Sequence, residues 1–290
     1  MTRESTNGGG SRGLDHHRGG SGEPLVLIHG IGHTWRGWKP MLPQLERRFD
    51  VLAMDLPGFG RSDPLPAGVD STAEALADAV EREMLGAGFD TAHISGNSLG
   101  GWIALELARR GRARTVTAIS PAGLQHAREK QWGANILRGM RMAVRYARPP
   151  EVALRNPVCR SLLAGPSVAR PWRHDPDLLI EAMELFAENP GFEATLPHLL
   201  NAQPRGLTTL DAPVLLLWGT QDVILLPRQG RRFERLIPGA ELRYISGAGH
   251  VPMTDVPELL ADAIAEFALD RRHVGQDRDA VADDLGVREP

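Results

Sequence analysis

The segment Ala92-His93-Ile94-Ser95-Gly96-Asn97-Ser98-Leu99-Gly100-Gly101 passes from a β-rich run into Trp102-Ile103-Ala104-Leu105-Glu106-Leu107, which reads as a helix. So sharp a turn between strand and helix strains its central residue and demands small neighbours. Gly96, Gly100 and Gly101 supply that room. Ser98 is then held clear of the backbone at a helix N-terminus, where the peptide dipole favours developing negative charge. A bare Gly-x-Ser-x-Gly match says little. Between a strand and a helix it marks a nucleophile.

Outward from this turn, further strands are read in Leu25-Val26-Leu27-Ile28, Val51-Leu52-Ala53-Met54 and Thr115-Val116-Thr117-Ala118-Ile119. Val214-Leu215-Leu216-Leu217-Trp218 and Leu242-Arg243-Tyr244-Ile245 complete the set. Several are apolar on both faces, as a strand covered by helices on each side must be. Ser71 with Glu74, and Asp255 with Glu258, have the spacing of capping boxes at two helix starts. The alternation predicts an α/β fold, a mostly parallel central sheet with helices on both faces. Its core is expected over 23–122 and 206–269. The intervening 123–205 looks helical, is punctuated by prolines such as Pro149-Pro150, and is too long for a simple connection. It is expected as an inserted helical cap. The glycine-rich 1–22 reads as a flexible leader, neither signal peptide nor transit helix, in which only Leu14-Asp15-His16-His17-Arg18 could supply a strand, and the charge-rich 270–290 as a flexible tail.

A serine hydroxyl needs a base to accept its proton, and the base needs a carboxylate to orient it. Asp222 follows the strand at 214–218 through Gly219-Thr220-Gln221, and His250 follows the next strand through Gly247-Ala248-Gly249. Ser98, Asp222 and His250 each fall just past a strand end, the edge where open α/β sheets bind ligands. These three are the expected catalytic residues. An oxyanion site needs two donors. The N–H of Leu99, after the nucleophile, is one; the other is the N–H of Ile31, in His29-Gly30-Ile31-Gly32. His29 is read as orienting that loop, and Asp55 as tying down the Pro57–Ser62 turn. Trp35, Trp38 and Trp102 flank these loops and are candidates for the substrate pocket or for the core; Asn97 and Val251 are further pocket candidates.

The chain thus resembles the α/β-hydrolase superfamily, in its capped branch with a serine nucleophile. The resemblance rests on His29-Gly30, Asp55-Leu56-Pro57-Gly58-Phe59-Gly60-Arg61-Ser62, the turn at Ser98, the 219–222 turn, and Gly249-His250 before Asp255-Val256-Pro257-Glu258. It spans about 24–269 and implies acyl transfer without a cofactor. Related dehalogenases and epoxide hydrolases use an aspartate nucleophile, so Ser98 disfavours those chemistries. The C–C hydrolases of ring-cleavage pathways often share an elbow like Gly-Asn-Ser, which Asn97 matches. They usually carry Trp after the catalytic histidine, where Val251 stands here. The expected function is therefore a serine hydrolase of a small or medium carboxylic ester. C–C cleavage of a vinylogous keto acid is the enzymatic alternative, and an arginine of the cap (Arg138 or Arg141) facing Ser98 would support it. A non-catalytic ligand-binding protein on the same fold is the alternative from another class.

Composition sets the outer bounds. With net charge −3 and an estimated pI of 6.4, no global basic field exists to hold nucleic acid. The single cysteine, Cys159, excludes a disulfide framework and a cysteine-based zinc site. The adjacent His16 and His17 lack metal-ligand spacing, so no metal is expected. No apolar run is long enough to span a bilayer. A small-molecule substrate and a reducing, cytoplasmic setting fit best. The cap is rich in basic residues, with Arg138, Arg141, Arg145 and Arg148 on one helical face. That face is either simply solvated or able to meet an anionic substrate, an acyl carrier or a membrane surface.

Overall fold

The computed structural model describes residues 13–147 and 151–284. The first twelve residues of the expected leader, the end of the expected tail, Arg148 and Pro149-Pro150 lie outside the described residues. Seven strands form one sheet: β1 (His16–Gly20), β2 (Glu23–Ile28), β3 (Phe49–Met54), β4 (Ala92–Asn97), β5 (Ala113–Ile119), β6 (Val214–Gly219) and β7 (Glu241–Ile245). Their order is β1-β3-β2-β4-β5-β6-β7, with β1 antiparallel to β3 and every other pair parallel. Six of them are the strands read from the sequence, each longer by a residue or two.

The seventh corrects the reading of 1–22 as leader. β1 pairs residue for residue with β3, from His16 opposite Met54 to Gly20 opposite Asp50. His-His-Arg-Gly-Gly carries no apolar alternation, yet an edge strand needs only backbone donors and acceptors to join a sheet. Side chains then fix it: Arg18 donates to both carboxylate oxygens of Asp50 (3.0 and 2.7 Å), and His17 stacks on Trp35. The expected tail is helical over part of its length. The last helix runs on to Asp284, because 270–284 contain one glycine and no proline to stop it.

The helices are α1 (Leu42–Leu45), α2 (Ala73–Gly86), α3 (Leu99–Arg109), α4 (Ala127–Ala147), α5 (Glu151–Arg155), α6 (Pro157–Ala164), α7 (Pro176–Glu188), α8 (Gly191–Asn201), α9 (Gly230–Leu236), α10 (Pro252–Asp255) and α11 (Pro257–Asp284). Both expected capping boxes are displaced. Thr72, not Ser71, caps α2 by accepting from the Ala75 N–H, while Ser71 pairs with Thr195 of α8 at 2.7 Å. Asp255 ends α10, and its carboxylate is used elsewhere, as described below.

Alternate residues along each central strand bury against opposite helix layers. Val26 and Ile28 face α2 and α3, whereas Leu25 and Leu27 face α1 and α11. The same split separates Leu216 and Trp218 from Leu215 and Leu217. Each such chain is worth roughly 1.5–3 kcal/mol of burial, and the two layers fix the strand ends that carry the loops. Residues 123–205, expected as a cap, fall between β5 and β6 and contain α4 to α8, with no strand among the described residues. This insertion has a small apolar cluster of its own, built on Val144, Leu154, Val168, Leu179, Ile180 and Met183.

Candidate active site

β4 ends and α3 begins at Ser98, whose φ of 56° and ψ of −112° place a non-glycine residue where backbone strain costs roughly 1–3 kcal/mol. Its N–H donates to Ile119 O (2.9 Å), and its carbonyl accepts from Ala122 (3.0 Å) and Trp102 (3.2 Å). β5 and α3 thereby clamp the turn. The glycines beside it are required by contact: a β-carbon at Gly96 would lie 2.1 Å from Gly100 O, and one at Gly100 2.1 Å from Ile28 O.

Asp222 and His250 meet across the loops after β6 and β7. Asp222 Oδ1 accepts from the N–H groups of Ile224 (2.9 Å) and Leu225 (2.8 Å), which leaves Oδ2 for His250 Nδ1 at 2.8 Å. Both side chains are buried. A carboxylate only accepts, so Nδ1 carries the imidazole proton and Nε2 is free to take another. The two loops are also joined through backbone, Gln221 N–H donating to Ala248 O at 2.9 Å. Asn97 brings in the third strand end: its Nδ2 donates to His250 O (3.0 Å) and Ile119 O (3.3 Å). Ser98 Oγ makes no hydrogen bond among the described residues, and Gly30 backs onto it so closely that a β-carbon there would lie 3.1 Å from Ser98 Cβ.

The loop after β2 is set by His29. Fully buried, it accepts from the Leu56 N–H at Nε2 (2.9 Å) and so donates from Nδ1 to Gly30 O (2.8 Å). Burial depresses its pKa to about 3, which keeps the ring neutral and this donor pattern fixed. The N–H groups of Ile31 and Leu99 make no hydrogen bond among the described residues. Asp55 accepts from the N–H groups of Trp35 (2.7 Å) and Arg61 (3.1 Å), and its carbonyl accepts from Ser62 Oγ (2.7 Å). Burial raises this carboxyl to about 6.

A cavity of about 50 Å³ lies between these loops and the insertion. Gly30, Ile31, His33, Asn97, His250 and Val251 line the sheet side; Leu137, Met140, Val144, Leu163, Ala164, Val168, Leu179, Met183 and Phe186 line the other. Asn97 and Val251 line it. The three tryptophans do not. Trp38 and Trp102 are buried in the two layers beside the sheet, and Trp35 is spent on His17 and on Asp15, to which its Nε1 donates. Nor does either arginine singled out in the insertion line the cavity. Arg138 is exposed. Arg141 is buried, donating to Phe186 O and pairing with Glu193 at 3.3 Å with its guanidinium over the Phe192 ring.

His33 is the residue that sequence reasoning passed over. It closes a turn onto Gly30 O (3.1 Å) and borders the cavity, and burial together with the nearby His250 lowers it to about 4. Its place four residues after His29 was the one available signal. Asp255 was another surprise. It accepts from the N–H groups of Gly249 (2.8 Å) and Ala169 (3.0 Å) and sits 3.2 Å from His174 Nε2. Val251 N–H also donates to Ser167 O at 2.9 Å, so the His250 loop is bonded directly to the insertion. Among the described residues no three His, Cys, Asp or Glu side chains converge as a metal ion would require.

A family model described as the alpha/beta hydrolase family matches residues 25–263. The chain belongs to this family. The hydrolase is 34% identical over 202 residues to epoxide hydrolase EphH of Mycobacterium tuberculosis, covering 66% of this chain and 92% of that one. It is 32% identical over 264 residues to the pimeloyl-[acyl-carrier protein] methyl ester esterase of Methylococcus capsulatus, covering 88% and 98%. Among solved structures, a thermophilic esterase from Thermogutta terrifontis superposes on the hydrolase with a TM-score of 0.72 at 25% identity, covering 89% and 93%.

Proposed function

We propose that this hydrolase cleaves a small or medium carboxylic ester through an acyl-enzyme on Ser98. The observation that carries the reading is the buried Asp222–His250 pair, 2.8 Å apart, joined by Asn97 to the strained turn that presents Ser98. Ser98 Oγ attacks the ester carbonyl while His250 Nε2 takes its proton. Asp222 stabilises the resulting imidazolium, and the N–H groups of Ile31 and Leu99 receive the oxyanion. His250 passes the proton to the departing alcohol. Water, deprotonated in turn by His250, attacks the acyl-enzyme and releases the acid and free Ser98. A neutral His33 suits this cycle, since a second cation beside His250 would oppose the imidazolium.

The similarity to an epoxide hydrolase raises a competing chemistry, which Ser98 disfavours. Opening an epoxide with a serine oxygen would leave an ether, and water does not hydrolyse an ether under these conditions. A carboxylate nucleophile leaves an ester that it can. Cleavage of a keto acid would call for a cation facing the site to bind the carboxylate, and neither Arg138 nor Arg141 lines the cavity. The cavity wall is instead mostly aliphatic, which suits an uncharged acyl chain.

The test is intact mass after exposure to a reactive fluorophosphonate. One adduct on the wild-type chain, absent from Ser98→Ala, is the expected result. An unlabelled wild-type protein that still binds esters would identify a binding protein on this fold.

A further inference from the structure

The insertion is divided by charge. Residues 128–173 contain ten Lys and Arg against two Glu, whereas 174–201 contain six Asp and Glu and no Lys or Arg. On the basic part, α6 is apolar towards both sides. Leu163 and Ala164 line the cavity, while Val158 and Leu162, four residues apart on the opposite side, face solvent, Leu162 at 74% exposure. α6 packs against α4, α5 and the turn at Pro171–Arg173, and these neighbours add Tyr146 and Trp172, 73% and 53% exposed. Trp172 stands between Arg170 and Arg173, both exposed and neither in an ion pair among the described residues. An aromatic flanked by free cations, beside outward aliphatic chains, is the composition that settles at a lipid–water boundary.

We propose that this face, built on α6 and Trp172, docks peripherally on an anionic lipid surface. The alternatives fit less well. A second copy meeting the same face would bring like charges together across the two-fold. An acidic protein would satisfy the arginines but leave Val158 and Leu162 without a reason to project into water. Contact is surface-bound because, among the described residues, no helix is long and apolar enough to cross a membrane. Docking seats the outer side of the helix whose inner side walls the cavity, so an acyl chain leaving the lipid has a short path to it. The inference goes beyond the ester reading and stands independently of Ser98.

Sedimentation of the full chain with vesicles tests it, using phosphatidylcholine alone and phosphatidylcholine mixed with phosphatidylglycerol. Binding is expected to the mixed vesicles and not to the neutral ones, and to weaken with added salt. Leu162→Ser with Trp172→Ala should weaken it about tenfold or more, and Arg170→Glu with Arg173→Glu should do the same. Ser98→Ala should bind like wild type, and fluorophosphonate labelling in vesicle-free buffer should be unchanged in the surface variants, so failure here is distinguishable from failure of the ester reading. No binding to mixed vesicles, or binding indifferent to both pairs of substitutions, would overturn the proposal. A concentration-dependent dimer abolished by Leu162→Ser with Trp172→Ala would overturn it too, by showing that a second copy covers the face.

Discussion

Asn97 has no proton to give or take at neutral pH, yet two loops meet through it. With its Nδ2 shared between Ile119 O and His250 O, Asn97→Ala would leave both carbonyls without this donor. The expected result is a stability loss of about 1–3 kcal/mol and a fall in kcat of roughly tenfold or more, with KM changed less. Equal kcat in the variant and the parent would show that the His250 loop holds its place without Asn97. At this scale the sequence was most legible where covalent geometry dictates the residue. Gly96 and Gly100 leave no room for a β-carbon, so the turn announces itself. The tryptophans stay open between pocket and core because an indole is as much at home in one as in the other, and nothing in spacing tells the two apart. His33 was illegible for the opposite reason: its effect comes from burial and from His250, more than two hundred positions away.

Among the elements, β1 shows what hydrophobic patterning does not reach. The five strands inside the sheet, buried on one face or both, declare themselves through aliphatic residues; β1 joins an exposed edge through its backbone and is held by Arg18, His17 and Asp15. Removing residues 1–20 would strip β3 of its outer partner along five paired positions. A melting temperature lower by roughly 3–7 °C is expected by calorimetry, equivalent to about 2–4 kcal/mol for a chain of this size; a shift within about 1 °C would mean the ladder is nearly neutral. The helices of the insertion were legible as helices but not as a cavity wall. Leu137, Val144, Leu163, Leu179 and Phe186 come from three helices, and only their packing brings them together.

For the molecule as a whole, two neutral histidines beside the site make stability depend on pH. His29 and His33 are lowered from 6.5 to about 3 and about 4, so between those values and 6.5 the unfolded chain binds more protons than the folded one. Their contribution is complete above pH 6.5 and is lost as the pH falls, each adding up to about 1.4 kcal/mol per pH unit to the slope. Asp55, raised from 3.8 to about 6, acts in the other direction: its contribution is present at low pH and is lost as the pH rises through 6. Glu129, lowered to about 2, acts with the two histidines, and His16, raised, acts with Asp55, so unfolding free energy should decline from pH 6.5 towards 4.5. Denaturant titrations of His33→Gln across that range should show a shallower decline; a parallel one would place His33's titration outside the folding equilibrium.

The bonds around Asp255 have a mechanical meaning. One carboxylate receives Gly249 from the histidine loop and Ala169 from the insertion, and Ser167 receives Val251 beside them. The segment behind α6 therefore cannot swing outward on its own. Either those bonds break, or the backbone on each side of His250, at Gly249 and Val251, is drawn along with it.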